Sequence, residues 1–396
     1  MPLVLRSWRQ WIQPVVMLLY GIILVICLPV LVVYMEHAGT RIKFEAWLIG
    51  SVFAFLTLPI ALWEIIMHLV NYTKPPLQQR IIRILWMVPV YTLNAWMGLT
   101  FPHYTIYFDL GRECYEAYVI YNFMMYLLIT LNEHMDLESV LATRPDLAHI
   151  CPFCCLRPWR MGRELVQRCK HFILQYTVVR PVTSCIAFVA SLFGAYGEGT
   201  FEPDRLFLYV ALVNNISQLL AMYSLVLFYR ATREFLKPVR PLAKFLVIKC
   251  VVFFSFFQEF IISVLVYAGV ISTWFGVQDA SDVHVISESI QNFLICIEML
   301  LAAMAHMYAF SHVPYRDPDV YQGDCCAAFR NMWDVSDVSQ DVKEHFSVVG
   351  SSVARRLSRR PARHASGERA PLLDESAPDE EEAQAAGGAP YTELDR

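Results

Sequence analysis

The chain has 396 residues, of which 56% are hydrophobic and 17% charged, and its formal net charge is −4. Soluble domains carry about 25% charged residues, so this composition excludes an ordinary water-soluble protein. Basic residues gather in short segments between apolar stretches, a pattern that predicts contact with anionic membrane lipids and no binding of nucleic acid.

Eight apolar stretches reach the length of about 20 residues that a helix needs to cross a bilayer. In chain order they cover residues 15–35, 46–70, 81–101, 113–131, 174–196, 206–229, 245–271 and 286–310. The fourth stretch is the weakest, because it opens with Glu113 and Glu116. Pro59, Pro89 and Pro181 lie inside stretches and are expected to kink them. We therefore predict an all-α integral membrane protein, a bundle of about eight transmembrane helices.

The orientation of these helices follows from the positions of lysine and arginine. With a cytoplasmic N-terminus, the outer loops hold few basic residues, namely Arg41, Lys43, Arg112 and Arg205. The inner loops hold most of the others, so both termini are predicted to be cytoplasmic. Lys249, near the inner end of the seventh stretch, is expected to extend its amine to the membrane surface. Glu64 and His68 are interpreted as residues of the membrane boundary.

The chain after the last stretch divides into two parts. We assign residues 1–311 to the transmembrane domain and residues 312–349 to a cytoplasmic amphipathic segment that lies on the bilayer or against the bundle. This segment carries apolar side chains at helical spacing, namely Phe329, Met332, Trp333, Val335, Val338 and Val342. Residues 350–396 are rich in Ala, Pro, Arg and Glu and are predicted to form a disordered tail.

Polar side chains inside the apolar stretches are the candidate functional residues, because charge at the bilayer centre is costly. We predict that they line a shared polar cavity as a substrate path: Glu298, Glu259, Gln258, Gln218, Asn214, Arg180, Asn122 and Glu116. The alternative is structural, with amides acting as hydrogen bonds between helices and the carboxylates protonated or paired.

Several segments carry a resemblance to a known family. They are RECYEAYVIYNF (112–123), IIRILWMVPVY (81–91), LQYTVVRP (174–181), ICIEM (295–299) and MWDVSD (332–337). With these segments, residues 1–350 resemble the transmembrane protein 184 family, most closely its C-type branch, which is related to organic solute transporter subunit alpha.

The resemblance implies a seven-helix core, to which residues 15–35 add one N-terminal helix. It also implies transport of amphipathic organic solutes, such as steroid- or bile-acid-like anions, with a small single-span partner subunit or as a homo-oligomer. The alternative function is a non-transporting membrane regulator of vesicle trafficking, cell growth or kinase signalling. No HExxH, GxSxG or phosphate-binding glycine-rich motif is present, so an enzyme is not expected, and no cofactor or metal is assigned.

Cysteines near the predicted inner surface are candidate palmitoylation sites. They are Cys151, Cys154, Cys155, Cys325 and Cys326. Organic solute transporter alpha proteins carry a similar cysteine-rich segment, which supports this interpretation. A disulfide is not expected in the reducing cytosol. The alternatives are unmodified cysteines or a zinc site completed by His149 or Cys169.

The tail contains two short sequence motifs of the kind that clathrin adaptors bind. One is an acidic dileucine motif with Glu368, Leu372 and Leu373, and the other is a tyrosine motif with Tyr391 and Leu394. They predict a multi-pass protein of endolysosomal, Golgi or plasma membranes.

Overall fold

The computed structural model describes residues 8–38, 41–133, 135–150, 157–197, 203–236, 241–275, 280–316, 325–334 and 336–358. These residues are helical apart from short connections and one isolated bridge between Leu147 and Trp159. The predicted all-α class is therefore confirmed. The helices are α1 (Trp8–Ala38), α2 (Arg41–Val70), α3 (Pro75–Leu85), α4 (Met87–Thr100), α5 (Thr105–Asn132), α6 (Leu137–Ala142), α7 (Arg163–Leu192), α8 (Leu206–Leu236), α9 (Pro241–Tyr267), α10 (Val270–Phe275), α11 (Ala280–Ala309), α12 (Cys325–Trp333) and α13 (Ser336–Ser358).

Six helices of the described chain are long and apolar enough to cross a membrane. They lie in α1, α2, α5, α7, α8 and α11. The helix α9 has 27 residues and covers most of the predicted seventh stretch. The helices α3 and α4 together cover the predicted third stretch. Many large apolar side chains on these helices are exposed, as on the lipid-facing surface of a membrane bundle.

The third stretch is divided into two helices at Trp86. Pro89 lies four residues after Leu85, and it has no backbone N–H to donate to the Leu85 carbonyl. The predicted kink at Pro89 is therefore a helix break. The helices α2 and α7 continue through Pro59 and Pro181 without interruption.

The helix α5 lies at the centre of the bundle and packs on α3, α4 and α7. Among the six long apolar helices it has the most buried apolar segment. The helix α11 packs on α2, α4 and α9, and α7 packs along α8. None of the apolar segment of α1, which packs on α2, is buried.

Three of the predicted apolar residues of the amphipathic segment pack on the bundle: Met332 is buried, and Val338 and Val342 pack against the main core. Val335 lies outside the described residues. The chain divides into two compact units, Met1–Ser347 and Val348–Arg396. Of the second unit, the structure describes the helical backbone of residues 348–358. The helix α13 thus runs past Gly350, where we predicted the tail to begin, because residues 351–358 lack proline and include the helix-favouring Ala354, Arg355 and Leu357.

Candidate functional site

A charged network crosses the middle of the bundle and is centred on Glu116 of α5. Lys249 of α9 donates to Oε1 of Glu116 at 2.9 Å, and Gln218 of α8 donates to the same oxygen at 3.5 Å. The phenol of Tyr91 of α4 donates to Oε2 at 3.2 Å. Three helices therefore place polar groups around one carboxylate of α5, and the Glu116 side chain is 7% exposed.

Further ion pairs extend this network along α5. Arg180 of α7 contacts Glu113 at 2.7 Å, and Arg112 contacts Asp109 at 3.2 Å. Asn94 of α4 donates to Asp109 at 2.8 Å. Each cation lies beside a carboxylate, and such pairing is what allows charges to remain in a low-dielectric interior.

The structure brings three of the predicted path residues into this network: Glu116, Gln218 and Arg180. The expectation that Lys249 extends its amine to the membrane surface was wrong, because the amine pairs with Glu116 and the side chain is 13% exposed. The sequence places Lys249 near the start of an apolar stretch, but α9 begins at Pro241, two turns earlier. Lys249, Glu113 and Tyr91 were missed as members of the network.

Glu298 of α11 belongs to a separate pair with Gln258 of α9, whose amide donates to its carboxylate. Gln258 follows Lys249 by nine residues, which is about 13 Å along a helix and about half a turn around it. The two polar pairs of α9 therefore lie on opposite faces of the helix. The Oε2 atom of Glu298 is buried and has no hydrogen-bond partner in the described part of the chain. The side chain of Glu259 lies outside the described residues.

Asn214 and Asn122 lie in two other places. Asn214 accepts a hydrogen bond from Thr183 at 2.6 Å, which joins α8 to α7. Asn122 follows Glu116 by six residues, about 9 Å along α5, and accepts hydrogen bonds from Arg80 and Arg83. The predicted residues therefore do not all meet in one place, and the hydrogen bond of Asn214 fits the structural alternative.

We call the region around Arg80, Arg83 and Lys170 the basic end of the bundle. Arg80 and Arg83 both contact the carboxylate of Asp337 of α13. Lys170 of α7 contacts Asp341 at 2.7 Å. A cavity of about 290 Å³ lies beside this second pair, lined by Met125, Gln167, Lys170, His171, Asp341 and Glu344 among others.

Glu64 and His68 are buried among protein side chains, and their interpretation as residues of the membrane boundary stays a prediction. Glu64 accepts the backbone N–H of His312 at 2.8 Å, and the ring of His312 lies 3.1 Å from the same carboxylate. The Nε2 atom of His68 donates to the carbonyl of Phe310 at 2.7 Å. These contacts hold the chain after α11 against α2.

The zinc alternative stays a prediction, because Cys151, Cys154 and Cys155 lie outside the described residues. Both ring nitrogens of His149, one of its two alternative further ligands, make hydrogen bonds. Nδ1 of His149 bonds to the hydroxyl of Tyr223 at 2.8 Å, and Nε2 bonds to the carbonyl of Arg157 at 3.1 Å. Cys169, the other alternative ligand, is fully buried on α7. Among the residues outside the described part are Cys151, Cys154 and Cys155, the side chains of Cys325 and Cys326, and the two sorting motifs of the tail, so palmitoylation and adaptor binding stay predictions.

A comparison with protein-family models identifies the chain. The model described as organic solute transporter Ostalpha matches residues 46–315, a segment that begins after α1 and includes the network around Glu116. No solved structure matches the chain. The chain is thus a multi-pass membrane protein that belongs to the organic solute transporter Ostalpha family.

Proposed function

We propose that the protein carries amphipathic organic anions, such as conjugated steroids or bile-acid-like solutes, across the membrane. The observation that supports this proposal is the network of Tyr91, Glu116, Gln218 and Lys249, which joins four helices in the middle of the bundle. Family membership supports the transport of a solute.

Paired charges of this kind suit the transient binding of an anion. The ammonium of Lys249 is held by Glu116, and the guanidinium of Arg180 by Glu113. An organic anion that enters the bundle competes with these carboxylates for the cations, while Gln218 and Tyr91 supply neutral donors. When the anion dissociates, each cation pairs again with its carboxylate, so that no cation remains buried without a partner.

Uptake of a labelled sulfated steroid by cells that express the protein tests the proposal. In the Lys249→Met variant, we expect at least a tenfold loss of uptake at an unchanged surface level. A second variant, Glu298→Gln, removes the carboxylate of the separate pair with Gln258 and is also expected to lower uptake. Asn215→Ala is the matched control, because Asn215 is exposed on α8 and bonds only locally to Ala211 among the described contacts.

Uptake equal to that of cells without the protein, at a normal surface level, would contradict the carrier. It would favour the non-transporting regulator. In that case a trafficking or growth phenotype should depend on residues 350–396 and should not respond to Lys249→Met.

A further inference from the structure

Two arginines at the basic end share a single carboxylate oxygen. Arg80 and Arg83 of α3 both contact Oδ2 of Asp337, which lies in the first turn of α13. Their side chains are 6% and 3% exposed, and that of Asp337 is 30% exposed. Asn122 of α5 completes the site, since its Oδ1 accepts from Arg80 at 3.1 Å and from Arg83 at 3.3 Å.

Among the described side chains, both guanidinium groups are in ion-pair contact with one carboxylate, that of Asp337. The exposed carboxylate of Asp334 also lies near Arg83, and Arg83 donates to the backbone carbonyls of Met332 and Asp334. The neighbouring Lys170 already pairs with Asp341. The Nε atom of Arg80 is buried and has no partner among the described residues. A guanidinium binds anions through two parallel hydrogen bonds. A sulfonate or sulfate ester, with three acceptor oxygens, could bridge the two guanidinium groups and also accept from this free Nε donor of Arg80.

Asp337, whose carboxylate contacts the two arginines, belongs to the helical segment that follows the last long helix of the bundle, α11. We define the C-terminal latch as α12 with residues 336–347 of α13. On α13, Asp337, Asp341 and His345 recur every four residues and thus lie on one face. This face contacts Arg80 and Arg83, then Lys170, then His171. The side-chain amide of Gln79 also donates hydrogen bonds to the backbone carbonyls of Asn331 and Asp334, at the end of α12 and just after it.

We propose that Arg80, Arg83 and Asn122 form a binding site for the anionic group of the carried solute, and that Asp337 of the C-terminal latch occupies this site as an internal competitor. The identity of the ligand as an organic anion rests on the proposed function. The solute and Asp337 exclude one another, so a solute that binds here releases the latch, and the docked latch is autoinhibitory.

Binding to the purified full-length protein in phosphatidylcholine nanodiscs tests the site without a flux measurement. The probe is estrone sulfate, and uncharged estrone is its control. We expect Asp337→Asn to bind estrone sulfate at least tenfold more tightly than the original chain, with no change for estrone. Adding Arg83→Gln to Asp337→Asn should abolish the gain. Glu344→Gln, which removes an exposed carboxylate from the same helix, should bind like the original chain.

A second measurement uses the unsubstituted chain and so does not depend on the folding of a variant. Lys343 is exposed on the latch, and estrone sulfate should accelerate tryptic cleavage after it, while estrone should not. Equal binding by Asp337→Asn and the original chain, or cleavage that responds to phosphatidylserine in the nanodisc and not to estrone sulfate, would overturn the proposal. Failure of cellular uptake alone would reject the carrier function and leave these two results to decide the site.

Discussion

The ion pair between Lys249 and Glu116 has nearly the same N–O distance as an ion pair on the protein surface, but its side chains are far less exposed. Lys74 and Glu133 lie 3.0 Å apart with side chains 51% and 28% exposed, whereas Lys249 and Glu116 lie 2.9 Å apart with 13% and 7%. Removing one partner of a buried pair costs about 3–5 kcal/mol, and an exposed pair contributes about 0–1 kcal/mol. We therefore expect Lys249→Met to lower the thermal unfolding midpoint by several degrees, as measured by far-UV circular dichroism in detergent.

Two further variants make this prediction specific. Lys74→Met should leave the midpoint nearly unchanged. The double variant Lys249→Met with Glu116→Gln should recover part of the loss, because no unpaired charge then remains in the interior. An unaltered midpoint for Lys249→Met would show that the buried pair does not stabilise the bundle.

For single residues, the sequence identifies charged side chains inside apolar stretches, but it does not identify the residues with which they pair. A carboxylate inside an apolar stretch identifies Glu116 and Glu298 as candidates. The partner of Glu116 lies 133 positions away on another helix, and no local pattern encodes that pairing. The rotation of α9 in the bundle decides this pairing, and the predicted start of the helix at residue 245 differs from the observed start at Pro241 by about one turn.

Among the elements, α4 and α11 pack closely at Gly98. A Cβ atom at this position would lie 2.5 Å from Nδ2 and 3.0 Å from Cγ of Asn292, which is buried on α11. Gly98→Ala must therefore displace the amide of Asn292 or separate the helices, and this opposes the gain of about 0.5–1 kcal/mol that alanine has over glycine inside a helix. We expect an unfolding midpoint in detergent below that of a Gly→Ala change in open space.

Gly111 of α5 provides the matched control, because a Cβ there meets nothing within 4 Å. Alanine is favoured over glycine inside a helix by about 0.5–1 kcal/mol, so Gly111→Ala should keep or raise the midpoint. A midpoint for Gly98→Ala as high as that for Gly111→Ala would contradict close packing of α4 on α11.

The docking of α13 should depend on pH through His345. Its ring lies beside that of His171, with 3.2 Å between the two Nδ1 atoms, and Lys170 and Asp341 pair nearby. Burial and the neighbouring His171 lower the pKa of His345 from its ordinary value of 6.5. Undocked α13 therefore binds a proton more readily than docked α13, and docking weakens as the pH falls below about 6.5.

Hydrogen–deuterium exchange of residues 338–347, corrected for intrinsic rates, measures this effect. Protection should be greater at pH 7.5 than at pH 5.5, and His345→Gln should reduce the difference. Equal protection of the original chain at both pH values would contradict the prediction.

For the whole molecule, the number of membrane crossings decides on which sides the two termini lie. The described residues hold six long apolar helices, and the predicted eight crossings require that the α3–α4 pair and α9 also span the membrane. An even number places both termini on one side of the membrane. Tags at the two ends should both be digested by protease in cells whose plasma membrane alone has been permeabilised. Protection of one tag only would show an odd number of crossings.

The sequence predicts the helices of the bundle well, because a bilayer requires each apolar stretch of about 20 residues to satisfy its own backbone hydrogen bonds. It predicts the site less well. Glu116, Gln218 and Arg180 meet in one network, but Glu298 and Asn122 lie in two others. Which polar groups share a network depends on the rotation and packing of each helix, and these are properties of the assembled bundle.

The break at Trp86 has a practical consequence. The indole rings of Trp86 and Trp333 lie 5.7 Å apart, so the kinked third span and α12 carry a pair of intrinsic fluorophores. Movement of α12 away from α3 would change the emission of this pair, and Trp333→Phe would identify its contribution. The molecule thus offers a label-free optical signal for motion at its C-terminal side.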